Sequence, residues 1–355
     1  MEMAAKEEDA GGGSPLNPRL APLLLYDHGG KTAGDEIDQA SDAAAGDLVF
    51  YSIPRRQLVV ARVDEMKDHR CWTTPQGWLL MASPSSPADT FLWDPFTGGR
   101  ISLPADCDGF LTGDARRRCL LSRKPAAVVV DDDDPSCIVV LVADLTGLAF
   151  WHCRVGGAAA DRRWLKQACE CPAALGAIPG AVLWAMSHLA AVGGRFVTVV
   201  RGMVAELELS PGRPVFTVVT PVDEGKVASP PANCFREHLV ESRGDLFRVR
   251  FRWPEARPRS FFAGIGVFRL DLTARLWVKA ESLDGMAFVF DDQGQFGASF
   301  DPREAGLKDD CIYYYMPNDK ALHVYDMERG TTALHDPGAC LPDHCSPKMV
   351  LMPTC

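Results

Sequence analysis

Residues 90–104 read TFLWDPFTGGRISLP, and the rest of the chain falls into place around them. A short run of aromatic and apolar residues ends at an acid, a turn follows, and a second short run begins. Within the turn, Asp94-Pro95-Phe96-Thr97-Gly98-Gly99 joins a proline, whose ring fixes φ, to glycines free to take positive φ. That chemistry suits a tight hairpin between two antiparallel strands. The unit recurs at residues 47–63 (DLVFYSIPRRQLVVARV), 148–166 (LAFWHCRVGGAAADRRWLK) and 203–219 (MVAELELSPGRPVFTVV). It returns at 266–283 (GVFRLDLTARLWVKAESL) and 321–335 (ALHVYDMERGTTALH). Matching landmarks are Tyr51, Trp93, Trp151, Leu207, Leu270 and Tyr325, at intervals of about 40–60 residues, the size of one propeller blade.

Between these units lies further strand-forming sequence: residues 77–82, 138–143, 195–200 and 237–251. Four strands per repeat form one sheet, which cannot bury both of its faces alone. Stacking such sheets in a ring covers the faces and protects the edges. The spacing therefore predicts an all-β chain: a β-propeller of six four-stranded blades, seven requiring one degenerate blade. A pair of two-sheet sandwiches would show shorter, less uniform spacing. Ring closure commonly borrows a strand from the opposite terminus, and Pro22-Leu23-Leu24-Leu25-Tyr26 is the candidate. Residues 1–20, acidic and Gly-rich, are expected to be a disordered tail, with 21–355 the single propeller domain. Residues 173–191 have some helical character but are broken by Pro179 and glycines, and are read as loop and strand.

In the strand Leu246 to Trp253, Arg248, Arg250 and Arg252 alternate with Phe247, Val249, Phe251 and Trp253. Period two marks two faces, and the arginines are read as the solvated one. Arg116-Arg117-Arg118 is likewise read as a solvated loop. Trp78, Trp93, Trp151 and Trp277 are expected to fill the spaces between blades. Asp271 and Asp326 recur at equivalent blade positions and are expected to build a shared turn.

The chain has 355 residues, 47% of them hydrophobic, with a formal net charge of −10 and a pI near 5.3. That balance argues against nucleic-acid or anionic-membrane surfaces, which need a positive field. The first fourteen residues have no signal-peptide pattern, and no apolar run approaches a bilayer span. Asn17, Asn233 and Asn318 do not begin glycosylation acceptors. Twelve scattered cysteines suit a reducing compartment, so cytoplasm, nucleus or both are expected, for a monomer with free thiols.

Motifs for phosphate cradles, metalloproteases or nucleophile elbows are missing from the sequence. Cys169-Glu170-Cys171 and Cys340-Leu341-Pro342-Asp343-His344-Cys345 are weak substitutes for a zinc framework. Asp131 to Asp134 read as a solvated loop, and His152 and His323 as hydrogen-bonded strand histidines. The assignment is therefore no catalytic, cofactor-binding or metal-ligating residues, and no cofactor.

Several segments together resemble the plant F-box-associated, KIB-type β-propeller family. They are Arg70-Cys71-Trp72-Thr73-Thr74-Pro75-Gln76-Gly77-Trp78-Leu79-Leu80, then Phe91-Leu92-Trp93-Asp94-Pro95-Phe96-Thr97-Gly98 and Ile101-Ser102-Leu103-Pro104. The set continues with His238-Leu239-Val240-Glu241-Ser242-Arg243-Gly244-Asp245-Leu246 and Val267-Phe268-Arg269-Leu270-Asp271-Leu272 with Trp277, and ends at Asp310-Cys311-Ile312-Tyr313-Tyr314. The resemblance runs from Pro22 to His335. It implies a kelch-like propeller that recognises a partner protein, since many relatives carry an F-box and serve as substrate-recognition subunits of cullin-type ubiquitin ligases. Nothing in the first twenty residues fits an F-box start, so the resemblance stops short of implying direct docking onto a ligase scaffold. No catalytic residue carries over from it.

The resulting expectation is a non-catalytic protein-interaction propeller whose partner binds through rim loops. Residues 83–89, 105–116, 223–233 and 254–259 are the loop candidates. Two alternatives stay open: a hydrolase of sugars or lactones using the central channel, marked by several carboxylates or histidines converging on one channel mouth with raised carboxylate pKa values, or a vestigial family copy without a specific partner.

Overall fold

The computed structural model describes residues 16–27, 47–113, 116–125, 137–146, 149–155, 163–168, 185–200, 203–209, 215–221, 235–252, 264–291, 296–316, 319–337, 341 and 345–353. Across them run 25 strands in six sheets. Blade 1 takes β1 (Leu23–Asp27), β2 (Leu48–Ser52) and β3 (Gln57–Ala61) from the start of the chain. Blade 2 is β4 (Arg70–Thr73), β5 (Leu79–Ala82), β6 (Thr90–Trp93) and β7 (Arg100–Ser102). Blade 3 is β8 (Arg117–Leu121), β9 (Ile138–Asp144), β10 (Ala149–Val155) and β11 (Leu165–Ala168). Blade 4 holds β12 (Ala190–Val192), β13 (Arg195–Val200), β14 (Met203–Glu208) and β15 (Val215–Pro221). Blade 5 holds β16 (Phe235–Ser242), β17 (Asp245–Arg252), β18 (Gly264–Asp271) and β19 (Leu276–Lys279). Blade 6 contains β20 (Ala287–Asp291), β21 (Gly297–Phe300), β22 (Cys311–Tyr315), β23 (Leu322–Asp326) and β24 (Thr331–His335).

The last strand, β25 (Ser346–Leu351), returns to blade 1 and pairs antiparallel with β1, Leu24 opposite Val350. It becomes the inner strand of that blade, so the two ends of the chain lock each other in one sheet. The strand predicted to close the ring, Pro22 to Tyr26, does take part in the closure. The inner strands β25, β4, β8, β12, β16 and β21 approach one another in that order around the axis. The molecule is a six-bladed β-propeller.

All six recurring sequence units turn out to be the two outermost strands of a blade. Their turns share a device. Asp94 Oδ1 accepts the backbone N–H of Phe96 (2.9 Å) and of Thr97 (3.3 Å), and Gly98 closes the turn at φ +73°. Asp271 Oδ1 accepts from Thr273 and Ala274, both 2.8 Å, and Asp326 Oδ1 from Arg329 at 3.1 Å. An acid at the end of the next-to-outermost strand thus satisfies the turn's exposed donors in three blades, as an Asx-turn does.

Six hydrophobic clusters lie between the six pairs of neighbouring blades. Blades 1 and 2 meet through Phe50, Leu79 and Trp93, and blades 2 and 3 through Trp78, Leu121 and Trp151. Phe150 packs with Phe196 and Leu207 between blades 3 and 4; Val199 packs with Leu270 and Trp277 between 4 and 5. Phe251 meets Phe290 and Tyr314 between 5 and 6, and Tyr313 meets Tyr26 and Val49 where the ring closes. The four tryptophans read as inter-blade fillers are all buried. Seven described cysteines are free thiols; burial pushes Cys71 up to about 12 and Cys153 well above the usual thiol range, so both behave as small apolar groups.

Four expectations need correction or completion. Blade 6 has five strands rather than four. Its order is β21-β20-β22-β23-β24, and β20 pairs parallel with β22, because the chain lays down the second strand before the inner one and then crosses back. Arg248 and Arg250 are buried, not solvated, because β17 is an interior strand with a blade against each face. Arg117 and Arg118 are buried on the inner strand β8, and only Arg116 of that run is exposed. Arg117 Nη1 lies 2.9 Å from Asp144, and its Nε donates to the Phe110 carbonyl. Finally, Leu16 is buried in the blade 1–2 cluster and Asn17 caps a short turn at Pro18–Leu20, so the packed chain starts inside the stretch read as a tail. Residues 1–15, the Asp131–Asp134 run, Cys169 to Cys171, Cys340, and the loops at 223–233 and 254–259 lie outside the described residues.

Candidate functional site

Each inner strand ends at the same face of the wheel, and together their ends surround a funnel on the propeller axis. Gln76 follows β4, Arg123 and Lys124 follow β8, Gly193 and Gly194 follow β12, Arg243 follows β16, Asp301 follows β21, and Met352 follows β25. The funnel encloses about 830 Å³ and narrows into a cavity of about 160 Å³. Small residues hold the axis open: Ala190 and Ala191 from blade 4, Gly297 and Ser299 from blade 6. At Gly297 a Cβ would lie 2.7 Å from the Phe290 ring, so the inner strand must carry glycine to pass that close to its neighbour.

Arg118 lies at the deep end. It is 4% exposed, and its Nη1 donates to the Ser187 carbonyl of the segment entering blade 4. Burial pushes its guanidinium down to about 10, an effect that the charge of Asp291, on blade 6, partly offsets. Beside it on β16, burial holds His238 well below the usual imidazole range, and His188, Arg118 and Arg236 push it the same way. His238 is therefore neutral near pH 7 and packs edge-on to Phe251, with a centroid separation of 5.4 Å.

Charges ring the mouth. Arg243 donates to the Asp284 carbonyl at 2.9 Å and lies 3.9 Å from Asp301. Arg303 grips Asp301 with both Nε (3.0 Å) and Nη2 (2.5 Å), and these hydrogen bonds hold the Asp301 carboxyl down at about 2. Glu241 Oε1 accepts the Gly244 N–H at 2.6 Å, stabilising the β16–β17 turn. Ser242 and Ser299 share a hydroxyl–hydroxyl hydrogen bond of 2.8 Å across blades 5 and 6. Two of the mouth carboxylates are thus engaged in ion pairing and turn capping.

The described loop candidates sit on the other face. Residues 83–89 join β5 to β6 and residues 105–116 join β7 to β8, both away from the funnel. They are tied together: Asp106 N–H donates to the Pro87 carbonyl (2.9 Å), and Asp106 accepts from Phe110 and Leu111. Asp89 bridges His69 Nε2 (2.9 Å) and Arg100 (2.5 Å). His152 is buried, and that burial lowers its pKa; His323 lies 2.9 Å from Asp319 and stacks on Tyr314. Among the described residues no three or more His, Cys, Asp or Glu side chains gather as a metal site, and no helix is long and apolar enough to cross a membrane. The funnel residues escaped sequence reading because each follows a different inner strand, and the turn Ser242-Arg243-Gly244-Asp245 carries only hairpin chemistry by itself.

No protein of curated function matches the sequence. Among solved structures, a quinonprotein alcohol dehydrogenase-like protein from Bacteroides thetaiotaomicron aligns at 9% identity and TM-score 0.34, over 94% of this chain and 78% of that one. Apo AztD from Citrobacter koseri aligns at 10% identity and TM-score 0.30, over 88% and 81%. Superpositions this loose carry no argument about the site. The family comparison is firmer on the fold: the KIB1-4 beta-propeller family model matches residues 50–332, across the same six-sheet ring and its repeated outer hairpins. The chain belongs to the KIB1-4 β-propeller family.

Proposed function

We propose that this propeller recognises a partner protein and performs no chemistry of its own, in the manner of the substrate-recognition part of an F-box ubiquitin-ligase adaptor. The observation that carries the reading is the state of the axial mouth. A channel hydrolase that uses a carboxyl as its general acid needs that carboxyl's pKa raised. Here Asp301 is driven the opposite way by Arg303, and Glu241 caps a turn. What remains is a broad, mixed-charge depression on a rigid ring, a surface suited to holding another chain. Protein capture takes place in cytoplasm or nucleus under this reading.

The test is affinity capture of the full chain from its native tissue, with and without proteasome inhibition, using two surface variants as references. One carries Arg123→Glu and Lys124→Glu at the funnel; the other carries Asp108→Lys on the opposite face. A partner retained by one variant and lost with the other supports recognition and places it on a face. Co-recovery of ligase components supports the adaptor role, and their absence beside a specific partner favours a free-standing binder. A chain that captures nothing reproducible, yet turns over sugar or lactone substrates, overturns the proposal.

A further inference from the structure

The outer rim of the wheel is a circle of six edge strands, each with one side open to an extended chain. Five of them carry features that discourage such pairing. β7, β11 and β19 each hold a cation, Arg100, Lys166 and Lys279. β15 is bulged against β14 and ends at Pro221, which has no N–H to give. β3 is uncharged, but Val59 is buried and Leu58, Val60 and Ala61 are half-buried. β24 has none of these protections. Its sequence, Thr331-Thr332-Ala333-Leu334-His335, contains no Lys, Arg, Asp, Glu or Pro, and its register with β23 runs unbroken. The first four residues are exposed, Leu334 at 63%. Among the described residues no strand pairs with the far side of β24, so alternate N–H and C=O groups face outward.

We propose that β24 pairs antiparallel with β24 of a second copy of this chain, about a dyad at Ala333, joining two blade 6 sheets into one. The strand and its flanks select this occupant because they complement themselves when reversed. A dyad at Ala333 sets Thr332 opposite Leu334 and brings the two Leu334 side chains into diagonal reach on one face, covering an apolar group that is otherwise in water. Arg329 and Asp336 flank the strand, both exposed. The reversed pairing sets Gly330 opposite Asp336, so Arg329 of each copy meets Asp336 of the other, one oppositely charged pair at each end. Arg329 already lies 3.8 Å from Asp326 with its side chain still 75% exposed, and the second carboxylate joins that pair rather than replacing it. A parallel seam would set Arg329 beside Arg329 and Asp336 beside Asp336, which like-charge repulsion disfavours. A single five-residue seam is small beside the roughly 1,200–2,000 Å² of a stable interface, so weak association is expected, with a dissociation constant on the order of 100 µM. This pairing is independent of the protein-recognition reading, and it turns the monomer expected from the sequence into a self-associating chain.

Sedimentation velocity of the full chain, from about 10 µM to 1 mM, reads the association directly. The mean mass of the wild type should climb toward twice that of one chain. Ala333 faces its own counterpart across the dyad, so Ala333→Lys and Ala333→Glu should each weaken association at least tenfold through like-charge contact. An equimolar mixture of the two should dimerise at least as well as wild type, since Lys then meets Glu. The position is exposed, so dilute samples of both variants should melt at the wild-type temperature. A wild type that stays monomeric throughout overturns the proposal, as does a dimer that survives both substitutions. If each variant is monomeric and their mixture fails to recover, the dyad at Ala333 is wrong. A monomeric wild type that captures another protein, released by Ala333→Lys, assigns the edge to that partner and overturns self-pairing.

Discussion

β17 presents two faces to two neighbours, and the faces could hardly differ more. Toward blade 6 it offers Phe247, Val249 and Phe251, which meet Phe288, Phe290 and Tyr314. Phe247 lies edge-on to Phe288 at 5.3 Å, and Phe251 to Tyr314 at the same separation. Toward blade 4 it offers Leu246, Arg248 and Arg250, and the two guanidinium groups close on Glu237 of β16. Arg250 Nη2 is 2.5 Å from its carboxylate and Arg248 Nε 3.9 Å. Aromatic faces complete that second surface: Arg248 lies 4.5 Å over the Trp277 ring and Arg250 4.9 Å over Phe235. One interface is a hydrophobic weld. The other buries two guanidinium groups beside one carboxylate among the described residues, with ring quadrupoles adding to their stabilisation. A sheet interior therefore tolerates arginine when a carboxylate and aromatic faces are supplied together.

The largest effect should come from the aromatic face. Phe288→Ala removes a fully buried ring from between blades 5 and 6 and leaves a cavity that rigid sheets cannot collapse into. A loss of about 4 kcal/mol is expected, within the usual cost of such truncations, read from the midpoint of urea denaturation. A loss below about 1 kcal/mol would mean that the interface relaxes freely, against the rigid-wheel view.

Glu237→Leu attacks the other face and should cost about 3 kcal/mol, because it removes the carboxylate that two buried guanidinium groups share. The sharper measurement is the triple replacement Glu237→Leu, Arg248→Met, Arg250→Met. It should recover most of that loss, or exceed wild-type stability, since apolar side chains of similar size need no desolvation. If the triple variant is as unstable as the single one, the charged group contributes something beyond compensating its own burial.

This contrast also explains what could be read in advance. The outer hairpins were legible because each is local: strand, turn acid and second strand lie within about 15–20 residues, and the turn rules act on neighbours. The alternation in β17 was legible too, but period two reveals only that two faces exist, not what covers them. Whether Arg248 meets water or Glu237 depends on β16 and on blade 4, both outside the strand. The inner strand β12 is three residues, Ala190–Val192, too short and plain to signal anything, yet its small side chains open the axis. The same limit hid the strand order of blade 6, where β20 and β22 pair parallel side by side and β21, which lies between them in sequence, sits at the inner edge. Local chemistry marks the rim of the wheel, and the hub is assembled from segments that meet only after folding.

A control outside both interfaces tests whether the turns matter less than the faces. Asp271→Ala removes the acceptor for the Thr273 and Ala274 N–H groups at the β18–β19 turn, where water can replace it. About 1 kcal/mol of destabilisation is expected. A loss comparable to that of Phe288→Ala would move the weight of the fold from the interfaces to the hairpins.

The smallest effect separates the two faces by pH. His238 belongs to the aromatic side, its ring 4.8 Å from that of Phe290 and 5.4 Å from that of Phe251. Its folded pKa lies well below 6.5 through burial, with His188, Arg118 and Arg236 adding to the shift. The unfolded chain therefore binds the proton more readily than the folded one, so stability is complete above pH 6.5 and declines as pH falls below it. Between pH 7 and 6 the expected loss from this one group is under about 1 kcal/mol. His152 and His335 shift in the same direction, so the informative quantity is the difference between wild type and His238→Phe. The variant should keep the ring contacts and show a shallower decline in melting temperature over that range. An unchanged pH profile in His238→Phe would show that the imidazole escapes its burial on protonation, and that the hydrophobic weld opens at its inner end.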